Sequence, residues 1–371
     1  MVGTIGILIL GVQPIVLAAL LSARHITLTQ LGHAASAELL SMGLAAALAG
    51  AVLPPLRLRA IAMAASLLLA YGNWQTILAT GETVTALRAL TGAAGGLLIW
   101  VTSCMIARSA APDRWAGIYL TVQTLAQFIL ATVMSAWAEP GASMEFGLLA
   151  GLGLISAAAA LLLPSAFARL PKHAGQGSFA PPSPRGFAAL AVAFLVMMFI
   201  VSIWVYYEPL ARHAGLSAKI SDQAISLSLA CQVLGGFAAT MLAGRLRWYP
   251  VFVICALVDL GLVMLLGSHP PAFVFLADAA VYGFIWLFIL PFLVPMTIEA
   301  DPSRRSAVLV TGVGLLGGSL GPTLVGMIIS PEDTTGALWL GGACLLLSLL
   351  IATALRFTAA PHKTQDQSLG K

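Results

Sequence analysis

The stretch Thr85–Trp100, TALRALTGAAGGLLIW, places a permanently charged guanidinium, Arg88, in a run that is otherwise apolar, small or weakly polar. Arg has no accessible deprotonated form in proteins. At the centre of a membrane helix it costs about 2.5–3.5 kcal/mol on insertion scales, so it marks a partner or a function. The surroundings decide whether this run is such a helix. Of the 371 residues, 60% are hydrophobic and only 9% charged, against about 25% charged in a soluble domain. A bilayer core needs roughly 20 apolar residues per helical crossing. The composition therefore describes many spans joined by short loops, with no room for a sizeable soluble catalytic domain.

Breaks at polar, Pro-rich and Gly-rich clusters divide the chain into twelve spans. The first six are Val2–Ser22, Leu31–Leu53, Leu58–Ala79, Thr83–Ala107, Trp115–Trp137 and Met144–Leu163. The second six are Gly186–Tyr207, Ser221–Ala243, Trp248–Gly267, Pro271–Thr297, Ser306–Ile329 and Gly336–Arg356. Between the sets lies the Pro-, Gly- and Arg/Lys-containing segment FARLPKHAGQGSFAPPSPRG. The expected organisation is an N-terminal half (1–163), a cytoplasmic linker (164–185), a C-terminal half (186–357) and a cytoplasmic tail (358–371). Val2–Ser22 lacks a basic leading segment and exceeds the apolar length of a signal peptide, so it is predicted to be retained.

Charge placement tests the span count. With both termini inside, inner loops hold Arg57, Arg59, Arg108, Arg114, Arg169, Lys172, Arg185, Arg245, Arg247, Arg304 and Arg305, and the tail adds Arg356, Lys363 and Lys371. Outer loops hold only Arg24, Arg212 and Lys219, which leaves Arg88 alone inside a span. One span more or fewer would scramble this asymmetry, so the positive-inside rule supports twelve. The same scatter argues against nucleic acid as a partner, despite a net charge of +4. Cys104, Cys231, Cys255 and Cys344 lie in apolar runs without CxxC spacing, and six dispersed His form no ligand motif. Neither disulfides, nor a metal, nor a cofactor is expected, and no phosphate-binding GxxxxGK[ST] loop is present.

An internal repeat emerges from position. LAG at 48–50 recurs at 242–244, and PDR at 112–114 is echoed by PSR at 302–304, at offsets of 194 and 190. Parallel repeats of six spans are a transporter architecture. Over essentially its full length the chain resembles the major facilitator superfamily. ALRALTGAAGG (86–96) looks like the family's fourth-helix motif. MLAGRLRWYP (241–250) looks like its loop motif, with Gly50 and Gly244 where the family has an acidic residue and Arg245 in the basic position. GGSLGPTLVG (317–326) resembles a Gly-Pro motif that drug/proton antiporters carry in span 5, yet span 5 of this chain, GIYLTVQTLAQFILATVMSAW, has no Gly-Pro pair. The resemblance implies an all-α integral membrane protein of two six-helix repeats, a secondary transporter rather than an enzyme, monomeric in its bilayer.

Candidate site residues follow from polar groups inside spans. Arg88 suits a carboxylate or an anion but cannot carry a proton; the alternative is an Arg whose head reaches the headgroups. The 190 offset takes it to Asp278 in span 10, which suggests a gate pairing the two across a cavity closed on the outside. Glu38, mapped by the 194 offset onto Gln232, and mid-span Asp259 are candidates for proton coupling or structural bonding. Gln13 beside Pro14, the cluster Gln123, Thr124 and Gln127, and Tyr207, Tyr282 and Trp286 are candidates for substrate binding, with Tyr206 expected in the interfacial belt. The expected function is proton-coupled symport of a small organic solute, an organic or aromatic anion, by alternating access. A drug/proton antiporter is the alternative within the fold, and a non-transporting sensor or scaffold the alternative outside it.

Overall fold

A computed structural model describes residues 1–54, 56–106, 108–109, 112–136, 141–165, 181–242, 244–303, 305–330 and 333–358. The central part of the linker and most of the tail lie outside the described residues. Thirteen helices are described: α1 (Val2–Ser22), α2 (Leu28–Val52), α3 (Leu58–Thr76), α4 (Glu82–Ile106), α5 (Pro112–Ser135), α6 (Ala142–Ala160), α7 (Pro184–Val205), α8 (Tyr207–His213), α9 (Ala218–Leu242), α10 (Trp248–Gly267), α11 (Ala272–Ala300), α12 (Arg305–Ile328) and α13 (Gly336–Phe357). Among the described residues there is no strand. Eleven of these helices are long and apolar enough to cross a membrane.

The expected span over 58–79 is the exception, and the reason is informative. Helix α3 ends in a polar turn containing Asn73, Gln75 and Thr76, which lowers its hydropathy, yet it packs between α4 and α6. Asn73 and Thr76 are fully buried, and both are spent on Arg88, as described below. Helix α2 begins three residues before the expected Leu31 because Thr27 caps it: its side chain accepts from the Gln30 backbone N–H, and the Gln30 side chain reciprocates. Such a box satisfies two amides that the helix leaves free.

Sequence reading ran span 7 through Tyr207, whereas the chain breaks at Tyr206 and continues as the short helix α8. Pro209 explains the break. It has no N–H to offer the carbonyl four residues earlier, and its ring crowds that carbonyl. At the other end of α11, the Asp301 carboxylate accepts from Ser303 Oγ at 2.7 Å and from the Ser306 N–H at 3.2 Å, organising the start of α12. These bonds hold its carboxyl below the usual carboxylate range.

The two halves repeat one packing device. Helices α2 and α4 lie so close that a Cβ on Gly92 would strike the Glu38 carbonyl; likewise α9 and α11 bring Gly283 against the Ser228 carbonyl. Glycine is required at both positions because the opposing atom is backbone. These contacts give the repeat register: 190 positions separate Glu38 from Ser228 and 191 separate Gly92 from Gly283, so the position equivalent to Arg88 is Ala279, next to Asp278. The counterpart of Glu38 is therefore Ser228, and the expected match to Gln232 is corrected.

The halves meet along a seam that is closed at one end only. Near the face opposite the start of α1, the Arg212 guanidinium donates to Ser22 Oγ at 2.9 Å, and Thr29 Oγ donates to the Gly326 carbonyl at 2.8 Å. There too the Thr323 N–H donates to Ser36 Oγ at 3.0 Å, and Ser135 and Ser226 share a hydrogen bond at 3.4 Å. Tyr206, completely buried, donates to the carbonyls of Leu28 at 3.2 Å and Pro322 at 3.0 Å, one from each half. Its expected place in the interfacial belt is corrected: it is a tie across the seam. The Trp204 indole donates to the Leu10 carbonyl at 2.8 Å, near mid-membrane. Towards the face where α1 begins, the seam separates. A gap of about 310 Å³ opens between Leu40, Leu44 and Ala47 of α2 and Leu309, Gly312 and Leu316 of α12.

Candidate functional site

Above the open end of the seam lies a cavity of about 300 Å³, bounded by α1, α5 and by α7, α9, α11 and α12. Its polar lining is Gln123, Thr124 and Gln127 from α5, Gln232 from α9 and Thr311 from α12. Trp286 and a set of Leu, Val and Met side chains supply the rest, and among the described residues no charged side chain lines it. The i, i+3 spacing of Thr124 and Gln127 turns both toward the cavity. Gln127 donates to the Ile7 carbonyl at 2.9 Å, and Thr124 Oγ to the Leu120 carbonyl at 3.0 Å. Gln123 Oε1 and Gln232 Nε2 are buried with no protein partner. One amide belongs to each half, and both residues line the cavity. Trp286 packs edge-on against Trp204, ring centroids 5.3 Å apart.

Arg88 is not in this cavity. Its side chain is completely buried within the N-terminal half, where it pairs with Glu38 at 3.3 Å. It also donates to Asn73 Oδ1 at 3.0 Å, Thr76 Oγ at 2.6 Å and the Gly72 carbonyl at 3.4 Å. The Phe146 ring lies 4.9 Å from the guanidinium carbon, within cation–π range. Glu38 accepts in turn from Thr91 Oγ at 2.8 Å and from the Gln13 amide at 3.4 Å. The close approach at Gly92 makes this possible, because it lets α4 present Arg88 to α2. Gln13, expected at the substrate, is thus the outermost member of an ion-pair network. Both expectations for Arg88, snorkelling to headgroups and facing a solute, are corrected by this burial.

The expected gate between Arg88 and Asp278 is also corrected. The seam is closed on that side, yet each residue bonds inside its own half. Asp278 accepts from the Tyr207 hydroxyl at 3.0 Å, and Tyr282 donates to the Ile200 carbonyl at 2.5 Å. Tyr207 and Tyr282 are both buried, with ring centroids 6.1 Å apart, and neither lines the cavity. Asp259 is buried in α10 with one oxygen unpartnered, close enough to Asp278 to interact electrostatically. Among the described residues no Lys or Arg forms an ion pair with either aspartate. Of the buried acids, Glu38 is matched by Arg88, while Asp259 and Asp278, like Glu145 of the N-terminal half, form no ion pair among the described residues.

The loop-motif positions have structural roles on the basic face. Gly244 follows α9 with φ +75°, a left-handed conformation suited to glycine after a helix end. Gly50 lies in the last turns of α2 against Trp100, and Arg245 is exposed. Sequence reading missed Asn73, Thr76 and Thr91 as partners of Arg88; the polar end of α3 was the available signal. It also missed Glu145, buried in the first turn of α6 with both carboxylate oxygens unpartnered.

No protein-family model and no curated protein matches the chain. Solved structures do. The nucleoside transporter NupG is 14% identical with a TM-score of 0.77, over 96% of this chain and 97% of that one. The xylose transporter XylE from E. coli, in a partially occluded inward-open conformation, is 14% identical with a TM-score of 0.71, over 95% and 96% of the two chains. A bacterial homologue of the human lysosomal transporter Spinster, inward-facing and unoccupied, is 14% identical with a TM-score of 0.68, over 96% and 94%. The chain shares the fold of these transporters: an all-α, multi-pass membrane architecture with eleven helices, among the described residues, long and apolar enough to cross a membrane.

Proposed function

We propose that the chain is a secondary transporter that carries a small, uncharged organic solute by alternating access. The observation that carries this reading is the cavity between the halves, sealed by hydrogen bonds toward one face and open toward the other. The charge asymmetry of the loops makes the open face cytoplasmic, so the conformation is inward-facing. Rocking of the halves about the cavity would expose it alternately. An anionic solute is disfavoured because the one arginine expected to meet it is spent on Glu38, and among the described residues no other cation lines the wall. The amides of Gln123 and Gln232, each with a donor and an acceptor end, suit a solute that has both donor and acceptor groups, such as a hydroxyl-rich or amide-bearing molecule. Trp286 offers an apolar face beside them. Small organic pockets of this kind usually pair an apolar wall with a few placed polar groups. Uncharged sugars and nucleosides, the cargo named for the neighbours above, are the first solutes to test.

Removing both amides, Gln123→Ala with Gln232→Ala, is expected to weaken solute binding about 10- to 100-fold. That corresponds to two net hydrogen bonds of about 0.5–1.5 kcal/mol each. Counterflow in proteoliposomes reads the effect. Unaltered half-saturation in the double variant would move the site elsewhere.

Proton coupling falls to Asp278 and Asp259 in this reading. Arg88 balances Glu38, whereas Asp278 and Asp259 have no cation, and an unbalanced charge within the membrane is costly. Uptake of a proton would remove that charge. Asp278→Asn is expected to abolish accumulation driven by a proton gradient, by at least tenfold, while downhill exchange continues. Gradient-driven accumulation by the variant at the wild-type rate would remove Asp278 from the coupling path.

A further inference from the structure

A second cavity of about 300 Å³ lies on the basic face, away from the seam, at the ends of α10, α11 and α13. Arg247, Trp248, Tyr249, Pro250, Glu299 and Arg356 line it. Its single carboxylate is already engaged. Glu299 accepts from the Trp248 indole at 2.5 Å through one oxygen and from Arg356 at 3.4 Å through the other. Arg247 has no carboxylate partner among the described residues. Two guanidinium groups against one carboxylate leave the cavity one positive charge in excess. That surplus, at a site of this size, fits a phosphate better than a second protein acid.

The floor of the cavity is amphipathic. Trp248 packs edge-on against Tyr249, ring centroids 5.5 Å apart, and Tyr249 packs edge-on against Phe357 at 6.2 Å. Such rings settle where headgroups meet hydrocarbon. An apolar track leads from the cavity into the membrane. On α10, Ile254, Leu257 and Val258 follow the cavity-lining Pro250 at spacings of four, seven and eight, and all three are exposed. These spacings put them on one helix face. On the adjoining α13, Leu346, Leu350 and Phe357 are likewise exposed. Charged pocket, aromatic rim and apolar track together match a headgroup followed by acyl chains.

We propose that this cavity is a binding site for an anionic phospholipid of the leaflet on the basic face. The phosphate would sit between Arg247 and Arg356, with Trp248 and Tyr249 at the glycerol level and the chains along α10 and α13. Arg suits this position because its planar fork reads phosphate oxygens two at a time. The site is separate from the solute cavity, so it stands whether or not the chain carries a solute.

The test uses the full chain purified in a neutral detergent. Phosphatidylglycerol, phosphatidylcholine with the same acyl chains, and inorganic phosphate are added separately, and native mass spectrometry and thermal denaturation read binding. Retention of phosphatidylglycerol is expected to exceed that of phosphatidylcholine at least fivefold, with a matching rise in Tm. Arg247→Ala should remove most of that preference without lowering the Tm of the lipid-free protein, because Arg247 supports no ion pair of the fold. Glu299→Gln, which removes the competing carboxylate, should strengthen retention. Equal retention of the two lipids would overturn the proposal, as would an unchanged preference in Arg247→Ala. Full protection by inorganic phosphate alone would also overturn it, by making the cavity a site for a free anion.

Discussion

Arg88→Ala is expected to destabilise the protein by about 3–5 kcal/mol, the usual cost of removing one partner from a buried ion pair. The variant leaves Glu38 in the interior of the N-terminal half with Thr91 and Gln13 as its remaining donors. It also leaves the buried Asn73 Oδ1 without its donor, while Thr76 keeps its bond to the Gly72 carbonyl. Lysine should restore little, because a single ammonium cannot reach Asn73, Thr76, Gly72 and Glu38 in the planar geometry that Arg uses. Adding Glu38→Gln to Arg88→Ala should recover part of the loss, since the unpaired charge is then gone. A double-mutant cycle in detergent, followed by thermal or denaturant unfolding, measures the coupling. Additive losses in the cycle would mean that the two side chains are not a pair.

Gly32→Val is expected to reduce transport more than tenfold by a different route, leaving the fold of each half intact. A Cβ at position 32 would meet the Pro322 carbonyl and the Tyr206 hydroxyl, both across the closed end of the seam. Neither obstacle can turn aside: one is backbone, and the other is tied to Leu28 and Pro322. If the clash costs the closed form about 3 kcal/mol relative to the open one, the population ratio moves by more than 100-fold. The outward-open form should then dominate, and a thiol reagent added outside should label a cysteine introduced in the cavity by Thr124→Cys. Outside labelling no greater than wild type would show that the seam at Gly32 does not control opening.

How much of this was legible in the sequence follows a physical pattern. The helices were readable because their lengths are set by the membrane: Val2–Ser22 and Trp248–Gly267 match α1 and α10 to the residue. The start of α2 was missed because a capping box extended it, and the break at Tyr206 because Pro209 acts a few residues downstream. Polarity within a span located residues that matter without saying which way they face. Gln123, Thr124, Gln127 and Trp286 do line the cavity. Arg88, Gln13, Tyr207 and Tyr282 do not, because each found its partner inside its own half. The choice between Glu38 and Asp278 as the partner of Arg88 turned on the approach of α4 to α2 at Gly92. Hydropathy and spacing carry no information about that distance. Two repeat offsets, 190 and 194, competed in the sequence, whereas the glycine contacts give 190 between α2 and α9 and 191 between α4 and α11.

The most direct measurement is solute flux with the seam locked. Ser135→Cys and Ser226→Cys, in a variant whose four native cysteines are replaced, put two thiols where the hydroxyls now share a 3.4 Å hydrogen bond across the halves. In proteoliposomes with a panel of uncharged sugars and nucleosides, oxidation is expected to stop the exchange of at least one solute, and reduction to restore it. Exchange that continues unchanged in the fully cross-linked protein would contradict alternating access through this cavity.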